Sequence, residues 1–310
     1  LDRQPAVVCQ LLLGAALLPT FSPAMAEAVS GIRGAGPILG RMAERNLFIT
    51  VRPALPTREL VEPPVYQFHD LLREFLLARG RTSWGAGNRR ALLLRAAAAL
   101  ASDSQADAAA QALIEAQAWD ALAKLVRAEA AAQVESGRQQ TLAGWLNHLP
   151  ARWLAADPWL AYWDGQCKLL LDPPAGRVTL ALALRGFEAT DDLDGRILAW
   201  CSIVETIAIE WSDFSAFDAL IEQGDCLLRH HRFETLPAPL APRFACAMLI
   251  ALQWRQPGRP DVEIWYERAC AAVQSIVAEG PRILAGMQLF NYTAVQWGNH
   301  SELDALHARL

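Results

Sequence analysis

Residues 66–80 read YQFHDLLREFLLARG, and Phe68, Leu71, Leu72, Phe75 and Leu76 recur at i, i+3, i+4, i+7 and i+8, the spacing of one helix face. The pattern predicts an amphipathic helix whose five apolar side chains anchor it to the body of its domain. His69 falls just off that face, at a strand-to-helix turn. A histidine there is a helix cap, a core residue or a probe pointed at a ligand.

The stretch before it mixes two periods. Residues 7–18 and 24–29 read as helices around LPTFSP, GIRGAGP as a glycine-rich link, and 38–45 as a third helix. NLFITVR then alternates and carries β-branched residues, PALPTRELVEPP breaks regular structure, and VYQF returns as the second strand of a hairpin. Three helices followed by a two-stranded wing is a winged-helix order.

Beyond Gly87 the pattern is helical almost without interruption, over 88–102, 106–117 and 119–134. Helices then come in pairs: 159–171 with 175–188, 194–210 with 212–229, 240–254 with 261–278, and 283–297 with 301–310. Their starts lie 35, 46 and 43 residues apart, a helical-hairpin repeat of irregular length. The expected fold is mainly α: a winged-helix domain with a small β-hairpin over 1–84, a helical arm over 85–156, and an α-solenoid of TPR-like hairpins over 157–310. Ile197, Trp200, Cys201, Val204, Ile207, Ala208 and Trp211 trace one stripe, and Trp265, Ala269, Ala272, Val273 and Ile276 another. Trp200, Trp211 and Trp265 are therefore expected in the core.

Composition narrows the function. The chain of 310 residues is 53% hydrophobic and 20% charged, enough for a large core, and its net charge of −5 with no run of five Lys/Arg advertises no nucleic-acid or anionic-membrane surface. Any DNA contact would belong to a domain outside these residues. Cys9, Cys167, Cys201, Cys226, Cys246 and Cys270 are widely spaced within apolar helical patterns, which reads as reduced core thiols in a cytoplasmic protein. The opening VVCQLLLGAALLPTFSPAMAEA has the apolar run and A-x-A spacing of a secretory signal, but Asp2 offsets Arg3 and the same residues parse as helix, turn, helix. The missing initiating Met and the uncapped end SELDALHARL predict a fragment of a longer chain.

Candidate chemistry is sparse. GIRGAGPILGR lacks the Lys and the preceding strand of a phosphate-binding loop. Cys226 and His230 stand at i, i+4 with His231 beside them, too few ligands for zinc, so no metal is expected. Asp191, Asp192 and Asp194 open a helix and read as caps, while Glu205 and Glu210 would matter only if a cleft paired them, as in an α/α-toroid glycosidase. No G-x-S-x-G elbow appears, and no catalytic residue is assigned. Trp159, Tyr162, Trp163 and Gln166 cluster where the repeats begin, and would either pack the hairpin or stack and hydrogen-bond an effector on a concave wall.

RMAERNLFITVR, the breaker loop and VYQFHDLLREFLLARG resemble the winged-helix segment of MalT-type, LuxR-family transcriptional regulators, which belong to the STAND class of nucleotide switches. LLLGAALLPTFSPAMAEAVSG is similar to the helices that precede it in that family, and residues 114–150 to the helical arm that follows; the later hairpins are similar to the TPR-like sensor superhelix in pattern only. The resemblance implies that His69 senses the β-phosphate of bound ADP, with Phe68 packing it and Asp70 following it. It implies ATP or ADP as cofactor of the longer parent and none for this fragment alone. It also implies an effector, small molecule or protein, on the superhelix, self-association in the active state, DNA binding only through a C-terminal domain absent from these residues, and no membrane. The expected function is thus the non-enzymatic regulatory and sensor portion of an ATP-dependent regulator, against a TPR-type interaction scaffold and, third, the glycosidase.

Overall fold

The computed structural model describes residues 4–52, 63–237, 240–275, 286 and 289–290. Fifteen α-helices and two strands lie among them. The chain divides into two compact units, Leu1–Glu129 and Ala130–Leu310.

In the first unit, α1 (Ala6–Ala15), α2 (Pro23–Ser30) and α3 (Ala35–Glu44) precede the strands β1 (Ile49–Arg52) and β2 (Val65–Phe68). Ser22 caps α2 by accepting from the Met25 N–H at 3.3 Å, with Pro23 in the first turn, where its missing N–H costs nothing. Glu27 reaches out of α2 to accept from the N–H groups of Gly34 and Ala35, both at 2.9 Å, where α3 begins. The strands are antiparallel with Ile49 opposite Phe68, and Phe21 exchanges two backbone hydrogen bonds with Tyr66 (2.9 and 2.8 Å). Phe21 and Phe68, ring centroids 5.1 Å apart, sit in a core with Leu11, Leu18, Leu39 and Leu76. Three helices and a wing are present as expected.

α4 (Asp70–Ser83) follows, with α5 (Ala86–Ser102) and α6 (Ala106–Glu115). Here one expectation fails: Phe68 and Leu76 are buried, but Leu71 and Phe75 are 70% and 52% exposed. The inward face of α4 is turned toward Leu72, Arg73, Leu76, Leu77 and Gly80, in keeping with about 100° per residue. Two of those positions are invisible to a hydrophobicity pattern. The Arg73 Nε–H donates to the Ala16 carbonyl at 3.1 Å, and the Trp84 ring folds back over Gly80, where a Cβ would lie 2.7 Å from its Cζ3. On α5 and α6, alanines at 96, 97, 106, 109 and 110 are buried, so the two helices meet through small side chains. α7 (Trp119–Glu135) runs across the division between the units.

The second unit holds α8 (Gln139–His148), α9 (Ala151–Ala156), α10 (Pro158–Lys168), α11 (Pro173–Ala189), α12 (Leu193–Glu210), α13 (Phe217–His230), α14 (Ala241–Arg255) and α15 (Val262–Ser275). α10 packs on α11, α11 on α12, α12 and α13 on α14, and α14 on α15, the successive packing of helical hairpins. Aspartates start three consecutive helices: Asp157, Asp172 and Asp192 accept from the N–H groups of Trp159, Ala175 and Gly195 at 3.0 to 3.1 Å. Within the acidic run at 191–194, Asp192 is the cap and Asp194 lies in the first turn of α12.

Trp200 and Trp265 are buried, but Trp211 is 55% exposed, against expectation. It ends α12 in the left-handed region at φ 51°, which swings it off the stripe to meet Phe214 and Trp254 edge-on, and α13 starts at Phe217 rather than 212. Of the six cysteines only Cys167, Cys201 and Cys246 are buried; Cys9, Cys226 and Cys270 are half-buried. Burial pushes the thiols of Cys167 and Cys246 up to about 12 and that of Cys201 higher. The expected pair over 283–297 and 301–310, apart from 286 and 289–290, lies outside the described residues, as do Ile276, most of the breaker loop and the Val273 side chain. Among the described residues no helix is long and apolar enough to cross a membrane.

Two outcomes follow from this packing. A Cβ on Gly195 would lie 2.3 Å from Cδ1 of the fully buried Phe187, whereas Gly144 in α8 has nothing within 4 Å. In urea unfolding, Gly195→Ala should therefore lower the stability of the second unit by about 1–3 kcal/mol, and Gly144→Ala should raise it by about 0.5–1 kcal/mol. Raised thiol pKa values predict that Cys167, Cys201 and Cys246 resist a thiolate-directed reagent at pH 8 in the native protein and react on unfolding, as peptide-level mass spectrometry would read.

Candidate functional site

Two places carry the residues singled out by the sequence, one in each unit. The first is the corner between β2 and α4. Strand alternation turns Phe68 inward, 1% exposed, and so turns His69 outward. His69 is the N-cap of α4 in extended backbone (φ −61°, ψ 141°), yet its side chain makes no capping hydrogen bond. Its backbone is fully used: its N–H donates to the Phe48 carbonyl at 2.8 Å, and its carbonyl accepts from the Arg73 N–H at 2.9 Å. The imidazole is exposed, with the Phe48 ring edge-on at 6.3 Å. Side-chain cap and core residue are thereby both excluded.

Asp70 is exposed in the first turn of α4, where a negative charge suits the helix dipole. Phe68 packs on Phe21, and the ring beside the imidazole is Phe48, which sequence reasoning did not single out. Phe48 holds φ 55°, unusual for a bulky residue, and is 63% exposed. Large apolar side chains are exposed on the same segments, Val51 and Val65 on the strands and Leu71 and Phe75 on α4.

The second place lies on α10, α12 and α14, the first helix of each hairpin. Trp159 is spent on packing: its Nε1–H donates to Asp192 Oδ2 at 3.0 Å and its ring meets Phe187 at 5.0 Å. Tyr162 is buried under the half-buried Trp163, 4.9 Å away, but its hydroxyl accepts from Arg243 Nη1 at 3.1 Å. Gln166 Nε2 donates to Ser202 Oγ at 2.5 Å, and Arg243 Nη2 donates to the same oxygen at 2.9 Å. Arg243 also grips Glu205 with both arms of its fork, Nε to Oε1 at 2.9 Å and Nη2 to Oε2 at 2.6 Å. Of the four predicted residues the structure thus joins Tyr162 and Gln166 in one network with Ser202, Glu205 and Arg243, leaves Trp163 at its edge, and places Trp159 in the hairpin core.

Burial acts against the Arg243 charge, but the Glu205 carboxylate and the Tyr162 hydroxyl outweigh it and hold the guanidinium above its ordinary pKa. Glu205 and Glu210 do not form a pair, because Glu210 is bound by Arg177. His230 Nδ1 lies 2.9 Å from the Cys226 carbonyl oxygen, so it engages the backbone of that residue. Among the described residues no group of three or more His, Cys, Asp or Glu side chains is placed to hold a metal. Glu205 was singled out in sequence only as a possible acid pair with Glu210, and Arg243 and Ser202 not at all.

Arg243→Met leaves Glu205, 13% exposed, without its partner. It should cost about 2 kcal/mol in urea unfolding, while Arg243→Met with Glu205→Met recovers most of the loss; additive losses would show that the two are uncoupled.

Residues 1–86 match the family model of the MalT winged helix domain. That span contains α1 to α4, the hairpin and the His69 corner. No curated protein and no solved structure matches the chain. By fold and by family model, the first 86 residues are a winged-helix domain similar to that of MalT.

Proposed function

We propose that this chain is the regulatory and sensor portion of a MalT-like, LuxR-family transcriptional regulator of the STAND class, in which the winged-helix corner responds to bound nucleotide and the hairpin array to an effector. The observation that carries the reading is the His69 imidazole. Both backbone groups of the residue are engaged within the domain, while the ring has no hydrogen-bond partner among the described residues and stands exposed beside Phe48. A ring nitrogen so held can donate to a phosphate oxygen, and the start of α4 adds a favourable dipole.

Phe48 supports the same reading. A bulky side chain at positive φ costs stability, and such strain gathers at functional sites. With Leu71 and Phe75 it offers apolar area to a neighbouring domain, which in the longer parent would be the nucleotide-binding domain. On the hairpin array, Trp163 against Tyr162 and Gln166 on Ser202 stay half-buried and would form the effector wall. Effector binding would then favour an open, self-associating state over a closed, ADP-bound one.

The test uses the chain joined to its nucleotide-binding domain. His69→Ala should weaken ADP retention by about tenfold or more, the worth of a hydrogen bond to a charged group, and should raise effector-independent transcription. Unchanged ADP affinity together with unchanged basal transcription would sink the proposal.

A further inference from the structure

Between α4, α5 and α6 in the first unit lies a cavity of about 280 Å³ that neither the wing corner nor the hairpin array uses. We propose that it binds a small organic monoanion, a carboxylate carried on an apolar body.

The charged residues of the wall decide the sign. Arg73, Arg81 and Arg89 line it together with Asp107 and Glu115, three cations to two anions, so its side chains carry one net positive charge. Both acids are already engaged, Glu115 by Arg89 and Asp107 by a partner of its own. Arg73 and Arg81, two turns apart on α4, have no ion-pair partner among the described residues. The charge left over is therefore basic, and it lies on one helix.

Arg73 is the seat for the carboxylate. Its Nε–H donates to the Ala16 carbonyl at 3.1 Å, which pins the half-buried side chain in one direction. One N–H on each Nη remains as a parallel pair, the arrangement that meets both oxygens of a carboxylate at once. Arg81 is exposed and adds attraction of the same sign.

The rest of the wall is largely apolar: Leu17, Leu77, Trp84, Leu93, Ala108 and Ala112. The Trp84 ring is seated on Gly80, where a Cβ would lie 2.7 Å from its Cζ3, and is a fixed surface. An anion without an apolar body leaves these surfaces unfilled, and a neutral apolar molecule takes water from the guanidinium groups without replacing it. An amine meets like charge, and a dianion such as phosphate brings one charge more than the wall offsets. Size limits the body as well, since the cavity falls just below the roughly 300–1,000 Å³ of sites for drug-sized ligands. Bound there, the carboxylate would brace α4 against α6. The proposal rests on the first unit alone and stands apart from the nucleotide reading.

The test titrates the chain with straight-chain carboxylates from acetate to octanoate, read by saturation-transfer NMR and calorimetry. Affinity should rise about fourfold per CH₂, the worth of burying a methylene, and level off at the length the cavity holds. The primary amide and the amine matching the best carboxylate should each bind at least tenfold more weakly, as should inorganic phosphate. Arg73→Lys keeps the charge but removes the fork, and should weaken that carboxylate about tenfold. Ala108→Leu fills the space from α6 and should abolish saturable binding without lowering the unliganded melting temperature. Three results would overturn the proposal: no saturable binding by any carboxylate of the series, binding of the amide or of phosphate as tight as that of the carboxylate, or undiminished binding in either variant.

Discussion

The contact between Phe68 and Phe21, with ring centroids 5.1 Å apart, governs the wing domain. Burying Phe68 is worth about 1.5–3 kcal/mol and fixes the strand in one register, because a slip by one residue would turn that ring to solvent. The two backbone bonds between Phe21 and Tyr66 hold the same register from the other side. Period-two alternation then leaves His69 no inward option. The outward imidazole at the head of α4 is thus a consequence of how the core is built. It also explains why the residue is an N-cap in backbone conformation without a capping side chain.

The second unit solves a different problem. Two of its helices, α12 and α14, are buried nearly all round, α14 most of all, with Phe244 through Gln253 buried without a break. Nothing in such a helix specifies how it rotates against its neighbours, because every face is welcome in the core. Arg243 supplies the missing direction: one guanidinium, half-buried, ties α14 to Glu205 and Ser202 of α12 and to Tyr162 of α10. Well-packed apolar residues would stabilise the array at least as much, so specificity is what the network adds. Aspartate caps at the starts of α10, α11 and α12 perform the same service along the helix axis.

Local information was legible in the sequence and long-range information was not. Helix order, the hairpin of the wing, the repeat of helical pairs and the capping role of Asp192 depend on neighbours a few residues away. The rotation of α4 does not, since Arg73 is turned inward by a carbonyl fifty-seven residues distant. Trp211 left its stripe because a left-handed turn, not periodicity, set its direction. Arg243 bonds partners 38 to 81 residues away, and no spacing rule links such positions.

These two sites differ in what a ligand would have to do. At the wing corner the imidazole is unspent, so a phosphate oxygen would gain a hydrogen bond without breaking one inside the domain. On the hairpin array nearly every donor of Arg243 is already used, and a carboxylate ligand would have to displace Glu205 to reach it. Displacement of that kind exposes one buried charge to take up another, and can shift an equilibrium only by the difference between the two. An effector that keeps the network and adds contacts at the half-exposed Trp163 and Gln166 avoids that exchange. The Arg243 network is therefore better suited to holding three helices in register for a ligand than to binding the ligand itself.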